Sequence, residues 1–264
     1  MGLHSTLTVT NSAHPPLVLV HGLGSAATAF KPIIPALSQN FRVISVDLPG
    51  HGQTPYLPGQ AMDPRSLGEA VFESIESTYG IKDFHIAGNS LGGWIALEMA
   101  AARPDRILSL TGLAPAGLWL KPASGRLPSE AQSYYLAKTL RPFVKVGLRS
   151  QSLRKIGFST VSPKWQELSY EICYDASIAM GNCKGYFPAW DGMLTRRFEA
   201  HVPPKVPVTI LFGDSDNTLP FPVSQERSLA PEHCAWISID NCGHAPMWDQ
   251  PDEVIKIIAR TALI

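Results

Sequence analysis

The sequence has no excess charge of either sign. Its 22 Lys and Arg residues equal its 22 Asp and Glu residues, and only 17% of its residues are charged, against roughly one quarter in an average globular protein. A protein whose main task is to bind nucleic acid or an anionic membrane surface needs a net basic face. The composition therefore argues against a dedicated nucleic-acid or membrane-surface protein.

Long apolar runs are also lacking. No stretch reaches the roughly 18 apolar residues that cross a bilayer, and residues 1–14 have neither the basic start nor the apolar run of a signal peptide. Four cysteines (Cys173, Cys183, Cys234 and Cys242) form no Cys-x-x-Cys pair, so neither a zinc site nor a redox motif is indicated. We expect a cytoplasmic protein with free thiols and no metal or cofactor, although a disulfide between two of the four stays open.

What the sequence does contain is an alternation of short apolar runs and helical patterns, punctuated by 21 Gly and 23 Pro residues. This alternation is typical of a mainly parallel sheet with crossover helices. A chain of 264 residues, 45% of them hydrophobic, suffices for one large α/β domain. The predicted strands are 7–10, 17–20, 42–46, 84–87, 107–111, 208–212 and 235–239, and the predicted helices are 65–79, 91–103 and 254–263.

The alternation stops between residues 116 and 203. These 88 residues have helical patterns, no clear strand and 12 of the 23 aromatic residues. We predict a core domain, 1–115 and 204–264, with a helical cap inserted at 116–203, where α/β sheets bind ligands. Helices that only thicken the domain are the alternative.

The charges of the chain are unevenly distributed, because residues 116–203 carry 12 Lys and Arg against 6 Asp and Glu. Our first interpretation is a basic cap that docks on an acidic core. The second interpretation is that the basic cap attracts substrates with a carboxylate group.

A candidate nucleophile lies in Gly-Asn-Ser-Leu-Gly at residues 88–92, which fits the pattern Gly-x-Ser-x-Gly. The motif follows the predicted strand 84–87 and begins a helical pattern. A sharp turn between strand and helix lifts the Ser90 hydroxyl clear of the backbone, and the glycines tolerate the strained dihedral angles and close packing. Ser90 is therefore the predicted nucleophile, and a serine in an ordinary tight turn is the structural alternative.

A serine nucleophile needs a general base, and the base needs an orienting acid. Of eight histidines, His244 is the predicted base, because it lies in a loop between the last strand and the C-terminal helix. The acid is expected between serine and histidine in the chain. The loop after strand 208–212 offers Asp216 as first choice and Asp214 as second, since spacing alone does not decide which side chain points inward.

An oxyanion hole needs two backbone donors aimed at the developing charge. The amide of Leu91, just after the nucleophile, is one predicted donor. The other is expected in the loop His-Gly-Leu-Gly at residues 21–24, with Leu23 as first choice and Gly24 as second. For the substrate pocket we expect aromatic and sulfur-containing residues of the insertion and of the segment after the base, namely Trp119, Trp190, Met247 and Trp248.

Together these motifs resemble the α/β-hydrolase superfamily. The markers occur in family order: 21–24, Asp-Leu-Pro-Gly-His-Gly at 47–52, Gly-Asn-Ser-Leu-Gly-Gly at 88–93, Gly-x-x-Asp-x-x-x-Pro at 213–220, and Gly-His at 243–244. They cover the chain from about residue 17 to its end, apart from the insertion. The resemblance implies an eight-stranded, mostly parallel sheet flanked by helices, a helical cap, and a structural role for Asp47 and His51. Its pattern at 213–220 also favours Asp216 over Asp214.

The resemblance does not fix the reaction. A serine at position 90 disfavours the branches with an aspartate nucleophile, dehalogenases and epoxide hydrolases. We expect hydrolysis of a small, fairly apolar ester, lactone or thioester, with a homo-oligomer left open. Residues 88–93 and 242–244 also resemble carbon–carbon hydrolases of the meta-cleavage-product type, but residues 22–26 lack their Gly-Pro-Gly-like run. The resemblance is also compatible with a cofactor-free perhydrolase and with a non-catalytic receptor of this fold.

Overall fold

A seven-stranded sheet lies at the centre of the computed structural model, which describes residues 2–126 and 128–263. The strands are β1 (Ser5–Thr8), β2 (Pro16–Val20), β3 (Arg42–Val46), β4 (Phe84–Asn89), β5 (Ile107–Leu113), β6 (Val208–Gly213) and β7 (Ala235–Ile239). Their order is β1-β3-β2-β4-β5-β6-β7. Strand β1 is antiparallel to β3, and every other pair is parallel. The predicted mostly parallel α/β sheet is confirmed.

Two details of the sheet differ from expectation. The described residues form seven strands instead of eight, because the residues before β2 contribute only one strand, at the sheet edge. That strand covers Ser5–Thr8 and not residues 7–10. Leu7 and Val9 are both exposed. Since an edge strand has one neighbour and little burial, its apolar residues did not mark its position along the chain.

The helices of the core are α1 (Ile34–Leu37), α2 (Pro64–Tyr79), α3 (Leu91–Ala102), α9 (Pro246–Asp249) and α10 (Pro251–Ala262). Helix α2 begins where the Asp63 side chain accepts a hydrogen bond from the amide of Ser66 (3.2 Å) and ends at Gly80, which has φ 66°. Helix α3 ends before Pro104, which has no amide to continue it. Asp63, Gly80 and Pro104 therefore set the ends of these two helices.

Alternate residues of β2 enter two different hydrophobic cores. Val18 and Val20 pack with side chains of α2 and α3 on one face of the sheet. Leu17 and Leu19 pack on the other face with Phe30 and side chains of α10. Phe30 and these four side chains of β2 are almost completely buried. Because helices cover both faces, the central strands have continuous apolar runs and their carboxyl ends form one edge.

Residues 116–203, which we call the cap segment, lie between β5 and β6. They contain α4 (Pro128–Leu140), a 3-10 helix (Arg141–Phe143), α5 (Val144–Gly147), α6 (Gln151–Phe158), α7 (Tyr170–Asn182) and α8 (Tyr186–Leu194), with no strand among the described residues. A small hydrophobic core within this segment includes Val144, Leu148, Phe158 and Cys173.

No described helix combines the length and apolar character required to cross a membrane. All four cysteines are free.

Candidate active site

Ser90 stands alone between β4, which ends at Asn89, and α3, which begins at Leu91. Its φ of 56° and ψ of −117° are strained for a residue with a side chain. Its amide donates to the carbonyl of Leu113 (3.0 Å), which fixes the turn on the sheet. A Cβ on Gly92 would lie 2.0 Å from the carbonyl oxygen of Val20, so only glycine allows α3 to pack this close to β2. The predicted sharp turn is present.

His244 and Asp216 meet in the loops that follow β7 and β6. The His244 Nδ1 atom lies 2.9 Å from Asp216 Oδ2, and both residues are buried. Because the carboxylate accepts this bond, Nδ1 carries the proton and Nε2 is left as the basic nitrogen. Asp214 is exposed and accepts bonds from the Ser215 hydroxyl (2.8 Å) and the Cys242 amide (3.3 Å). The structure therefore brings Asp216, and not Asp214, to the histidine.

The Asp216 carboxylate is held in its charged form. Burial by itself raises the pKa of an aspartate, but the interaction with His244 and the amides of Leu219 and Thr218 outweigh it and lower the pKa of Asp216. The two amides donate to Oδ1 over 2.8 Å and 2.9 Å, whereas Oδ2 accepts the hydrogen bond from His244 Nδ1. A negative charge is thus fixed beside the imidazole.

Asn89 joins the serine turn to the histidine loop. Its buried amide group donates to the carbonyl of His244 (2.9 Å) and to that of Leu113 (3.0 Å). This role was not predicted from the sequence. The available signal was the position itself, because a side chain directly before Ser90, at the end of a central strand, lies at the same edge as the neighbouring loops.

The loop after β2 lies against the serine. A Cβ on Gly22 would lie 3.0 Å from the Cβ of Ser90. Buried His21 donates from Nδ1 to the carbonyl of Gly22 (2.8 Å) and accepts at Nε2 from the amide of Leu48 (3.0 Å). Burial lowers the pKa of His21, so a neutral imidazole fixes this loop. His21 therefore shapes the loop.

Leu23 and Gly24 are the two candidate oxyanion donors of this loop. Both residues line the cavity that contains Ser90. However, the Gly24 amide is one of the groups that favour the thiolate of Cys183, together with the amides of Gly185 and Tyr186; burial outweighs them and raises the pKa of Cys183 to about 12. Leu23 therefore stays the first choice and Gly24 the second as the donor from this loop.

A cavity of about 870 Å³ has Ser90 and His244 in its wall. Met247 and Trp248 also line it, and most of the remaining wall is apolar and comes from the cap segment. Trp119 and Trp190 are not among its lining residues. Trp119 packs edge-on against Trp94 with ring centroids 5.3 Å apart, and buried Trp190 packs with Tyr186 and Phe187. These two side chains of the cap segment therefore pack against other aromatic residues.

A buried carboxylate connects the cap segment to the histidine loop. Asp249 accepts a hydrogen bond from the amide of Gly243 (2.7 Å) at one oxygen and from the Ser162 hydroxyl at the other. Next to this contact, the amide of His244 donates to the carbonyl of Val161 over 2.7 Å. Burial raises the pKa of Asp249 in spite of these donors. Sequence reasoning missed this connection, because the partners are more than 80 residues apart.

Asp47 and His51 have structural positions. Asp47 accepts bonds from the amides of Ala27 (2.8 Å) and Gln53 (3.0 Å) and from His4 Nδ1 (3.0 Å), so it ties three segments together. His51 is fully buried, and burial followed by the neighbouring His21 lowers its pKa to about 3. Neither residue lines the cavity that contains Ser90.

In residues 2–126 and 128–263, no group of three or more His, Cys, Asp or Glu side chains is arranged so that it could hold a metal ion.

Comparison with known proteins gives one family over most of the chain. The sequence model described as "Alpha/beta hydrolase family" matches residues 17–257. A dihydrolipoyllysine-residue acetyltransferase component of an acetoin cleaving system from Pseudomonas putida is 41% identical over 103 residues, which are 39% of this chain and 27% of that protein. A pimeloyl-[acyl-carrier protein] methyl ester esterase from Neisseria meningitidis is 34% identical over 141 residues, 49% of this chain and 52% of the esterase.

These two relatives are thus matched over about a quarter and about half of their own lengths. Among solved structures, a meta-cleavage product hydrolase from Pseudomonas fluorescens IP01 superposes with a TM-score of 0.71 and 19% identity, covering 98% of this chain and 93% of that one. At this level of identity the superposition establishes the common fold.

Proposed function

The chain belongs to the alpha/beta hydrolase family, and on that premise we propose that this hydrolase cleaves a fairly apolar carboxylic ester through an acyl-enzyme. One observation carries the proposal. Ser90, strained at the turn between β4 and α3, lines the same cavity as His244, whose Nδ1 is bonded to buried Asp216. These are the nucleophile, base and orienting acid of acyl transfer in one place.

In the proposed reaction, His244 Nε2 takes the proton of the Ser90 hydroxyl as Oγ attacks the ester carbonyl. The carbon–oxygen bond to the alcohol then breaks, and the imidazolium gives its proton to the leaving alcohol. A water molecule, deprotonated by His244, attacks the acyl-enzyme, and the proton returns to Ser90 as the acid leaves. Asp216 stays ionised throughout, keeps the imidazole in one tautomer and stabilises its protonated form.

The proposed oxyanion hole consists of the amides of Leu91 and Leu23. The Leu91 amide is in the first turn of α3, where no carbonyl of the same helix accepts it and the helix dipole is positive. The loop with Leu23 is held against Ser90 by the close approach of Gly22. Two amides from different segments then converge on the carbonyl oxygen, where negative charge develops.

The substrate class follows from the wall of the cavity. About 870 Å³ is enough for a small-molecule ester with an acyl or alcohol group of several carbons, and the lining from the cap segment is mostly apolar. An apolar lactone or thioester fits the same chemistry. The relative named as a methyl ester esterase supports an ester over other acyl compounds.

Carbon–carbon bond hydrolysis is the second candidate. The residues at 88–93 and 242–244 resemble meta-cleavage-product hydrolases, and one such enzyme shares the fold. The loop 22–26 lacks the Gly-Pro-Gly-like run of those enzymes, which places this reaction behind ester hydrolysis.

A substrate panel separates the two reactions. Wild type and Ser90→Ala are assayed together on p-nitrophenyl esters of increasing chain length, a lactone, a thioester and a vinylogous diketone. We expect wild type to hydrolyse the esters and Ser90→Ala to lose roughly 10³-fold or more of that activity. Cleavage of the vinylogous diketone alone would favour the second candidate, and equal ester hydrolysis by both proteins would refute the role of Ser90.

A further inference from the structure

The zero net charge of the chain hides a strongly basic stretch within the cap segment. Residues 131–166 contain seven Lys and Arg and not one Asp or Glu. The seven are Lys138, Arg141, Lys145, Arg149, Arg154, Lys155 and Lys164. None of them takes part in the salt bridges found among the described residues, and five, all except Arg154 and Lys164, are exposed. This excess charge is therefore presented to solvent.

Large apolar side chains are exposed in the same stretch. Phe143 is 66% exposed, Val146 68% and Ile156 62%, and Tyr135, Leu136 and Leu153 are also exposed. Single exposed apolar residues are ordinary in globular proteins. Six within 22 consecutive residues, alternating with exposed cations, form a patch of the kind that marks an interaction surface. We call these six apolar residues, with the five exposed cations among them, the basic apolar face.

The basic apolar face shares side chains with the wall of the cavity that contains Ser90. Of its six apolar residues, all except Val146 are also lining residues of that cavity. These five side chains are both exposed and part of the cavity wall, which is expected if the cavity opens at this face. Whatever docks here covers the entrance.

We propose that the basic apolar face docks on an anionic lipid surface. Helix α6 carries the combination at short range, because exposed Leu153 and Ile156 lie beside exposed Lys155 on eight helical residues. A basic amphipathic surface binds a lipid–water interface by placing apolar side chains among the acyl chains and cations among the anionic head groups. An acidic protein would satisfy the cations but leave the cluster of protruding apolar side chains without a comparable environment.

This docking is independent of the proposed reaction, but its consequence rests on it. With the cavity entrance against the lipid, an apolar ester dissolved in the interface reaches Ser90 without crossing water. The net-charge argument against a membrane-surface protein applied to the chain as a whole. It does not apply to a face where positive charge is concentrated.

The test is co-sedimentation of the full-length protein with vesicles. Phosphatidylcholine vesicles containing phosphatidylglycerol are compared with pure phosphatidylcholine vesicles, at low and high salt. We expect sedimentation with the anionic vesicles, little with the neutral ones, and release by salt, since salt screens the attraction of exposed charges. Equal binding to both vesicle types, or binding to neither, would overturn the proposal.

Charge-reversal variants locate the docking surface. Lys145→Glu/Arg149→Glu is expected to weaken binding to the anionic vesicles by at least about tenfold. The matched control Lys82→Glu/Arg260→Glu makes the same change in net charge at exposed residues outside the cap segment and should bind like wild type. If both double variants lose binding equally, the effect is one of net charge and the basic apolar face is not the docking surface.

An apolar variant and a soluble substrate complete the design. Val146→Ser is expected to weaken vesicle binding several-fold, whereas Leu108→Ser, at an exposed leucine of β5, should not. Neither Val146 nor the two cations lines the cavity, so turnover of p-nitrophenyl acetate is expected to stay at the wild-type level. If wild type does not hydrolyse p-nitrophenyl acetate, the esterase proposal is refuted, but the result of the vesicle-binding experiment still stands. Salt-sensitive binding to polyglutamate without vesicle binding would assign the face to an acidic protein instead.

Discussion

The side chain of Asn89 donates a 2.9 Å hydrogen bond to the carbonyl oxygen of His244. The residue directly before Ser90 therefore holds the loop that contains His244. Its second bond, to the carbonyl of Leu113, fixes the same amide group on β5. Serine turn and histidine loop are thus positioned as one unit, although 155 residues separate them along the chain.

Asn89→Ala is expected to lower both stability and turnover. It leaves two buried carbonyl groups without this donor, which costs about 1–3 kcal/mol in the free energy of unfolding, and it frees the histidine loop, so kcat should fall more than KM rises. Urea unfolding and ester kinetics measure the two effects. Asn40→Ala, at an exposed turn residue, is the control, and a variant at Asn89 with wild-type kcat would show that the bond does not position His244.

The two neighbouring carboxylates are a matched pair for testing the orienting acid. Asp216→Asn replaces the acceptor that fixes the His244 tautomer, and kcat should fall by roughly 10³- to 10⁴-fold. Asp214→Asn changes an exposed carboxylate two residues away and should keep most of the activity. The reverse ranking in steady-state ester hydrolysis would transfer the role to Asp214.

Stability is expected to fall as pH drops from 7 to 5, in part because of His51. Its pKa of about 3 in the folded state lies below the roughly 6.5 of an unfolded chain, so the unfolded state binds the proton first and is favoured as pH falls through 6.5. Down to pH 5 this one residue accounts for on the order of 2 kcal/mol. His51→Asn, which keeps a donor for the Pro49 carbonyl, should flatten this dependence.

Urea titrations of wild type and His51→Asn at both pH values provide the measurement. His201→Asn, at an exposed histidine, is the control and should keep the wild-type slope. If His51→Asn loses as much stability between pH 7 and pH 5 as wild type does, burial of His51 is not the source of the effect.

Asp249→Asn tests the connection between the cap segment and the histidine loop. Both carboxylate oxygens accept bonds, from Gly243 and Ser162, and the amide of Asn replaces one acceptor with a donor. We expect a loss of about 1–3 kcal/mol in unfolding free energy and a lower kcat. Asp252→Asn, at an exposed carboxylate of α10, should change neither quantity, and equal effects at the two positions would contradict a specific role for Asp249.

Much of the fold was predictable because its signals are local. The apolar runs indicate the parallel strands, and Asp63 and Gly80 mark the two ends of α2. The turn at Ser90 follows from the glycines within two residues of it. The edge strand β1 was misplaced because an exposed strand carries little apolar signal. Order along the chain also indicated Ser90, His244 and the loop with Asp214 and Asp216, since loops at the carboxyl ends of neighbouring parallel strands meet at one edge.

Contacts between distant segments were not predictable in the same way. Met247 and Trp248 were expected in the pocket because they follow His244 directly, and they line it. Trp119 and Trp190 had only their aromatic character as evidence, and they pack against other aromatic residues. The bond between Asp249 and Ser162 joins the cap segment to the core, and no pattern in either segment specifies its partner.

The central claim is that Ser90 is an activated nucleophile, and active-site labelling tests it most directly. Wild type, Ser90→Ala and His244→Ala are treated with a fluorophosphonate, after circular dichroism shows all three to be folded, and their intact masses are measured. One adduct on wild type, located at Ser90, with none on Ser90→Ala and slow reaction of His244→Ala, is the predicted result. Folded wild type that does not react, or Ser90→Ala that reacts as wild type does, would contradict the account.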